Sequence, residues 1–294
     1  MRLKKTLEYT STVNPGIPYP YDHVTVFNGT QGGGMEFPMI ANDADFPDST
    51  LTSYVTFHEI FHNYTPFMMG LNEKRYPFMD EGLTDFFSSE YVQDQYGTNF
   101  FFAPGSQNRV DDYNYFSSKE DAPLIGTYAQ LDETNTVFYY YLKPSMAYML
   151  FKEMVGEKSF LKGFNEFVRR WEGKHPTPYD FFYTMNDVLN QDYNWFWQAW
   201  FFSYGYPDLG LKLTKNNSVL VHRVGEGSLP LPVKLNIVYS DGTEKIIQRP
   251  MNVWKDGAEV VEIKLDDFSN ISEISLDTET VPDISHINNS IKVN

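Results

Sequence analysis

The chain reads as an α+β protein, a mostly helical region followed by a small C-terminal β-sandwich. Three observations carry this. Phe160, Phe164, Phe167 and Trp171 recur at helical spacing inside a helical pattern running from about residue 137 to 203. After Pro207 the pattern changes to short alternating runs such as Leu211-Lys212-Leu213 and Val233 to Val238, the signature of strands. Between residues 48 and 96 two capped, apolar-rich segments hold the histidines and carboxylates that stand out in the chain.

In chain order, residues 1 to about 47 read as strand and loop, with Pro15, Pro18, Pro20 and the run Gly32-Gly33-Gly34. Asp48-Ser49-Thr50 is a helix cap, and its helix is expected to end near Gly70. A second helix is expected from about Asp80 to Tyr96-Gly97. Residues 98 to 130 lack periodicity and read as an extended surface excursion. Pro178, Phe181, Phe182 and Met185 open one further helix, and Trp195, Phe196, Ala199 and Trp200 lie on another. Asp241-Gly242 marks a hairpin turn, with Glu244 to Gln248 as the returning strand. Val260 to Ile263 and Ile274 to Leu276 continue the strands. The domains expected are 1–207 and 208–294.

With 294 residues the chain is long enough for two domains. Its 24 Phe and 21 Tyr suit a packed globular protein. The net charge of −16 argues against nucleic acid or an anionic membrane as partner. There is no cysteine, so disulfides and thiolate metal sites are excluded. No stretch approaches the roughly 18 apolar residues of a membrane span. Met1-Arg2-Leu3-Lys4-Lys5 is basic, but the residues after it are no signal-peptide core, and the compartment stays open.

The chemistry concentrates at His58-Glu59-Ile60-Phe61-His62, with Glu81 eighteen residues beyond His62. Residues four apart share a helix face, so His58 and His62 can grip one ion. Two imidazoles and a carboxylate are the protein ligands of a catalytic zinc site, the fourth position being left to water. Glu59 is then the base beside the ion. A solvated helix face is the alternative reading of the motif. The apolar surroundings Tyr54, Val55, Phe57, Ile60 and Phe61 weigh against it, because buried His and Glu need a metal or partners.

H-E-x-x-H, eighteen residues, then E resembles the signature of the M1 family of zinc aminopeptidases, a gluzincin family. Gly33-Gly34-Met35-Glu36 resembles its G-x-M-E-N motif, with Phe37 in place of the Asn. Tyr141-Leu142-Lys143-Pro144 resembles its Y-x-K-G segment, with Pro144 in place of the Gly. His175 to Pro178, Trp195-Phe196, Trp200 and Gly205-Tyr206-Pro207 follow in the family's order. The bacterial branch reading G-G-M-E-[FY]-P and ending near P-D-x-x-x-x-N-N is the closest, here Gly33 to Pro38 and Pro282-Asp283 to Asn288-Asn289.

The resemblance implies a thermolysin-like catalytic domain, one Zn²⁺ per chain on His58, His62 and Glu81, and Glu59 as catalytic base. It implies that Glu36, with Gly33, Gly34 and Met35, binds the free α-amine of a peptide substrate, and that Tyr141 stabilises the oxyanion. A Gly-rich turn with a surface glutamate is the alternative for Glu36. The run Tyr139-Tyr140-Tyr141 leaves the tyrosine register open by one or two positions. Asp85, one helical turn after Glu81, reads either as a carboxylate behind a metal-bound histidine or as a solvated aspartate. His23, His175, His222 and His286 read as structural or exposed. The resemblance also implies a large β-rich domain before this stretch; its absence here reads as a truncated gene or as a fragment of a protein that carries that N-terminal domain. The rival functions are a zinc endopeptidase with the same chemistry and a weakly active fragment serving as a peptide-binding module.

Overall fold

The computed structural model describes residues 2–29, 32–97, 106–118, 122–126, 135–225, 227–265 and 268–293. The described residues form helices and three small sheets, an α+β architecture. Packing divides the chain into two compact units, 1–109 with 124–193, and 110–123 with 194–294.

The first unit opens with α1 (Arg2–Thr12), where the sequence pointed to strand and loop. The correction has a physical reason. The buried stripe of α1 is Thr6, Tyr9 and Thr10, residue types that favour strands and carry little apolar periodicity. Tertiary packing decides it instead: Tyr9 meets the rings of Tyr91 and Phe57 edge-on. Next come β1 (Thr25–Asn28), β2 (Met35–Phe37) and β3 (Ile40–Asp43), in sheet order β1-β3-β2. β1 runs parallel to β3 and β2 antiparallel.

Helix α2 (Ser49–Phe61) starts at Asp48, whose side chain accepts from the N–H groups of Thr50 and Leu51. Phe57 and Phe61 stack on each other and pack on Tyr91 and Phe87 of α3 (Pro77–Tyr96). That aromatic face turns the adjacent stripe, His58 and His62, to the other side of the helix. The expected end near Gly70 is reached in two steps. α2 stops at Phe61, and a π-helical turn, Asn63–Met68, carries the chain to Gly70, whose φ is +71°. α3 ends at Gly97 in the left-handed conformation, where a stop was expected. The excursion expected over 98–130 contains a helix, α4 (Arg109–Phe116); its stretches 98–105, 119–121 and 127–130 lie outside the described residues. A second π-helical turn, Val137–Leu142, leads into α5 (Lys143–Val155), and α6 (Glu157–Trp171) and α7 (Pro178–Val188) complete the unit. Phe160, Phe164 and Phe167 are core, as their spacing predicts.

The second unit takes in α4 from Val110 onward and resumes with the short α8 (Asn194–Trp197) and a π-helical turn, Gln198–Phe202. β4 (Leu209–Leu213), β5 (Ser218–Arg223) and β8 (Val260–Lys264) form one antiparallel sheet. β6 (Val233–Tyr239), β7 (Glu244–Arg249), β9 (Ile271–Leu276) and β10 (Ser290–Lys292) form the other, in order β10-β9-β6-β7. The β6–β7 hairpin turns at Asp241-Gly242 as expected, Asp241 Oδ1 accepting from Thr243 N at 2.9 Å. Asp283 ties the tail back: its carboxylate accepts from Leu209 N and Ser285 N, both at 2.9 Å, and its own N–H donates to Asn114.

Candidate metal centre

The site lies in the first unit, where α2 and α3 face each other. His58 and His62 stand one turn apart on α2, both buried, and Glu81 comes from the first turns of α3. Their ligand atoms all lie within 4.8 Å of one another. Glu81 Oε2 is 3.0 Å from His58 Nε2 and 3.4 Å from His62 Nε2. Ligands about 2.0–2.1 Å from a tetrahedral ion stand about 3.3–3.4 Å apart, so the donor set has the span that a divalent ion requires.

The tautomers are legible from the hydrogen bonds. His62 Nδ1 faces Thr65 O at 2.9 Å and Asp80 Oδ1 at 2.8 Å, both acceptors, so Nδ1 carries the proton and Nε2 offers its lone pair to the centre. For His58 the partner is weaker. Ser88 Oγ lies 3.5 Å from Nδ1 and donates its own proton to Thr84 O at 2.6 Å, which leaves it as an acceptor. The His58 ring is held between two tyrosines, Tyr54 at 5.7 Å and Tyr141 at 5.9 Å, both nearly parallel to it.

The carboxylate behind a histidine is therefore Asp80, which the sequence reading passed over, and not Asp85. Asp85 is fully buried and accepts from the Tyr54 hydroxyl and the Arg109 guanidinium. It is neither solvated nor bonded to a ligand histidine; it holds Tyr54 in place on the His58 ring. The available signal was position. Asp80 precedes Glu81, so it sits in the first turn of α3 beside the π-helical turn that returns the chain from His62.

Glu59 is 4% exposed, and its Oε2 is buried without a hydrogen-bond partner. Burial pushes its carboxyl up to about 7; the two imidazoles oppose this and the carboxylates of Glu36 and Glu81 add to it. Burial also raises the Tyr141 phenol, and hydrogen bonding to Glu81 raises it further, so the phenol stays protonated. Among the three consecutive tyrosines, Tyr141 is the one against His58; Tyr139 packs on Phe138, and Tyr140 presents its carbonyl to Gly82. For His62, burial alone would lower the proton affinity, but Asp80 and Glu81 outweigh it and the net direction is upward. The same field attracts a metal cation.

Glu36 projects from edge strand β2 on the face opposite Met35 and Phe37, and its carboxylate shares a 4.8 Å cluster with Glu59 and His62. Two hydrogen bonds hold this sheet and its β2–β3 turn in place: Met39 N donates to Asn63 Oδ1 of the π-helical turn at 2.8 Å, and Thr56 Oγ1 of α2 donates to Asp43 Oδ2 at 2.5 Å. The predicted glycines differ in what they do. A Cβ on Gly33 would fall 2.4 Å from the Ala44 backbone, so that glycine serves the sheet. Gly34 has φ +91°, and a Cβ there would lie 3.8 Å from Glu59 Oε1. Met35 is 45% exposed and does not join the cluster. His23, His175 and His286 are exposed and His222 is half-buried; His175 Nδ1 bonds Gly70 O at 2.9 Å.

Comparison with known proteins follows the same line. The family model described as the peptidase family M1 domain matches residues 18–200. Aminopeptidase N of Haemophilus influenzae is 24% identical over 249 residues, covering 76% of this chain and 27% of that protein. The solved structure of Legionella pneumophila aminopeptidase A in complex with aspartic acid superposes with a TM-score of 0.68 at 16% identity, over 94% of this chain and 33% of that one. The chain thus spans about a quarter to a third of the length of these relatives.

Proposed function

The chain belongs to peptidase family M1, and from that premise we propose that it hydrolyses the N-terminal peptide bond of peptides as a zinc-dependent aminopeptidase. The observation that carries the proposal is the convergence of His58, His62 and Glu81, with Glu59 and Glu36 beside them. The donors are nitrogen and oxygen at tetrahedral spacing, which suits one Zn²⁺ per chain. When bound, zinc supplies Lewis acidity that lowers the pKa of water and polarises the scissile carbonyl.

The chain's own groups do the rest. Glu36 holds the substrate's α-ammonium by a charge-assisted bond, which sets the first peptide bond beside Glu59. Glu59, enclosed and raised towards neutrality, takes the proton of the attacking water and returns it to the leaving amine. The Tyr141 hydroxyl, kept protonated, donates to the oxyanion that develops. Asp80 and Thr65 O hold His62 in the tautomer the site needs. In this reading residues 1–207 are a thermolysin-like catalytic domain, and residues 208–294 a β-sandwich formed by the two antiparallel sheets.

The test pairs composition with selectivity. Purified protein should carry about one zinc per chain, lost in His58→Ala, and should cleave a free-amine aminoacyl reporter while largely ignoring its N-acetyl form. Equal cleavage of both would remove the exopeptidase reading and leave the endopeptidase. Zinc without turnover of either would leave the peptide-binding module.

A further inference from the structure

The second unit contains a cavity of about 750 Å³, within the range of small-molecule sites. Its walls come from separate segments of that unit. α8 and the π-helical turn after it supply Trp195 and Gln198, and the next loop supplies Tyr204. Arg223 ends β5, Ser228 lies in the loop beyond it, and Glu259 directly precedes β8. Two contacts bring these segments together. Arg223 N donates to Glu259 O at 3.0 Å, so the two strand ends are paired. Gly227, at φ +79°, lies against the Tyr204 backbone, and a Cβ there would fall 2.5 Å from Tyr204 O.

The Arg223 guanidinium lies over the Trp254 ring, 5.7 Å from its centroid. Trp254 is itself locked, its Nε1 donating to Leu231 O at 2.7 Å. Nη1 of Arg223 turns to Ser228 O at a long 3.4 Å. The opposite edge, Nε with Nη2, meets no acceptor among the described residues, and Nε is buried. Trp195 repeats the pattern: its indole N–H is buried and unmet. Burial lowers the proton affinity of the guanidinium, and the exposed Glu259 offsets only part of this.

Unmet buried donors cost free energy, and a ligand that brings acceptors recovers it. The Nε–Nη2 edge is the side-on fork that grips both oxygens of a carboxylate. Charge selects a single negative charge. The chain carries −16 and Glu259 shares the lining, so a dianion such as phosphate is opposed. The rings of Trp195 and Tyr204 suit an apolar body beside the carboxylate.

We propose that this cavity binds a small organic carboxylate, held by the Arg223 fork and the Trp195 N–H. A free amino acid and the C-terminus of a peptide are two sources of that group. The amino acid adds an ammonium that Glu259 can attract. No residue of this site belongs to the metal centre, and the inference does not depend on the aminopeptidase reading.

The experiment is calorimetry on the zinc-loaded wild type with phenylalanine, N-acetylphenylalanine, N-acetylphenylalaninamide and inorganic phosphate. The two acids should bind saturably, and the amide and phosphate at least about tenfold more weakly, since each lacks the fit to the fork. Arg223→Lys keeps the charge but loses the fork, and should weaken the acids roughly 10- to 100-fold. Trp195→Phe keeps a ring but loses the N–H, and should weaken them roughly 3- to 10-fold. His58→Ala, which gives up the metal, should bind N-acetylphenylalanine as the wild type does. Tighter binding of phenylalanine than of its N-acetyl form, lost in Glu259→Gln, assigns the free amino acid; equal or reversed affinities assign the peptide C-terminus. Thermal melts check that each variant folds, and if Arg223→Lys does not, Trp195→Phe decides. The site is overturned if neither acid binds saturably, if the folded variants bind the acids as tightly as the wild type, if His58→Ala abolishes binding, or if the amide or phosphate matches the acids.

Discussion

Glu59 shows how far a single side chain can be set against the fold that holds it. Its carboxyl is raised from the ordinary value to about 7 by burial. A raised acid in the folded state favours folding only while it is protonated. The cost appears as pH rises past the unfolded value near 4.5 and is complete above about 7. Glu59→Gln in metal-free protein should therefore be more stable than the wild type at pH 8, by about 1–3 kcal/mol, with the gain vanishing below pH 5. Thermal melts at the two pH values check this. The same variant should keep zinc and lose on the order of 10²-fold or more in kcat, since the amide accepts no proton. In the wild type, kcat/KM should fall as acidification protonates Glu59. Zinc opposes the burial, so this limb should lie at or below pH 7.

Asp80 and Asp85 make the second residue-scale test. Asp80→Ala removes a carboxylate from His62 Nδ1 and should weaken zinc binding roughly 10- to 100-fold, measured by competition with a chelator. Asp85→Asn should lower the melting temperature, because it disturbs a buried pair with Tyr54 and Arg109, while changing zinc affinity much less. Spacing alone brought the candidate donors His58 and His62 to one face, since four residues on a helix is a geometric statement. It did not distinguish the two aspartates. Which one meets an imidazole depends on how α3 is rotated against α2, and that rotation is set by Phe57, Phe61, Phe87 and Tyr91 from both helices together.

At the scale of elements, the close approach of α3 to the segment 137–144 aligns Tyr141 with Glu81. Gly82 makes it possible: a Cβ there would meet the Pro144 ring at 2.6 Å and Tyr140 O at 3.3 Å. Gly82→Ala should push the two segments apart, destabilise the fold by about 1–3 kcal/mol and lower kcat more than it raises KM. Denaturant melts and steady-state kinetics measure both. Helices with caps and aromatic periodicity were readable in advance, because local signals and burial agree in them. α1 was not, since a stripe of Thr and Tyr becomes a helix face only when Phe57 and Tyr91 pack on it. The π-helical turns were not either.

Across the whole molecule, the alternation after Pro207 announced the strands, and Asp241-Gly242 announced a hairpin, because period and turn chemistry are local. The membership of the second unit was not legible. It takes in residues 110–123, which no periodicity links to strands a hundred residues further on. Within that unit Tyr113 packs against Trp200, and Asp283 N donates to Asn114 Oδ1. A chain ended at residue 207 should thus lose partners of the 110–123 segment along with the strands. Its melt should be broad and its cooperativity low, against a single sharp transition in the full chain, as calorimetry would show.

The bond between Asn114 and Asp283 joins residues 169 positions apart. On a ribosome that separation is a waiting time. At about 5–20 residues per second, the segment around Asn114 emerges on the order of 10–30 s before the residue that completes its surroundings. During that interval Tyr113, fully buried in the finished fold, meets solvent, chaperones or other nascent chains, and the protein's yield in a cell becomes a matter of translation speed as well as of final stability.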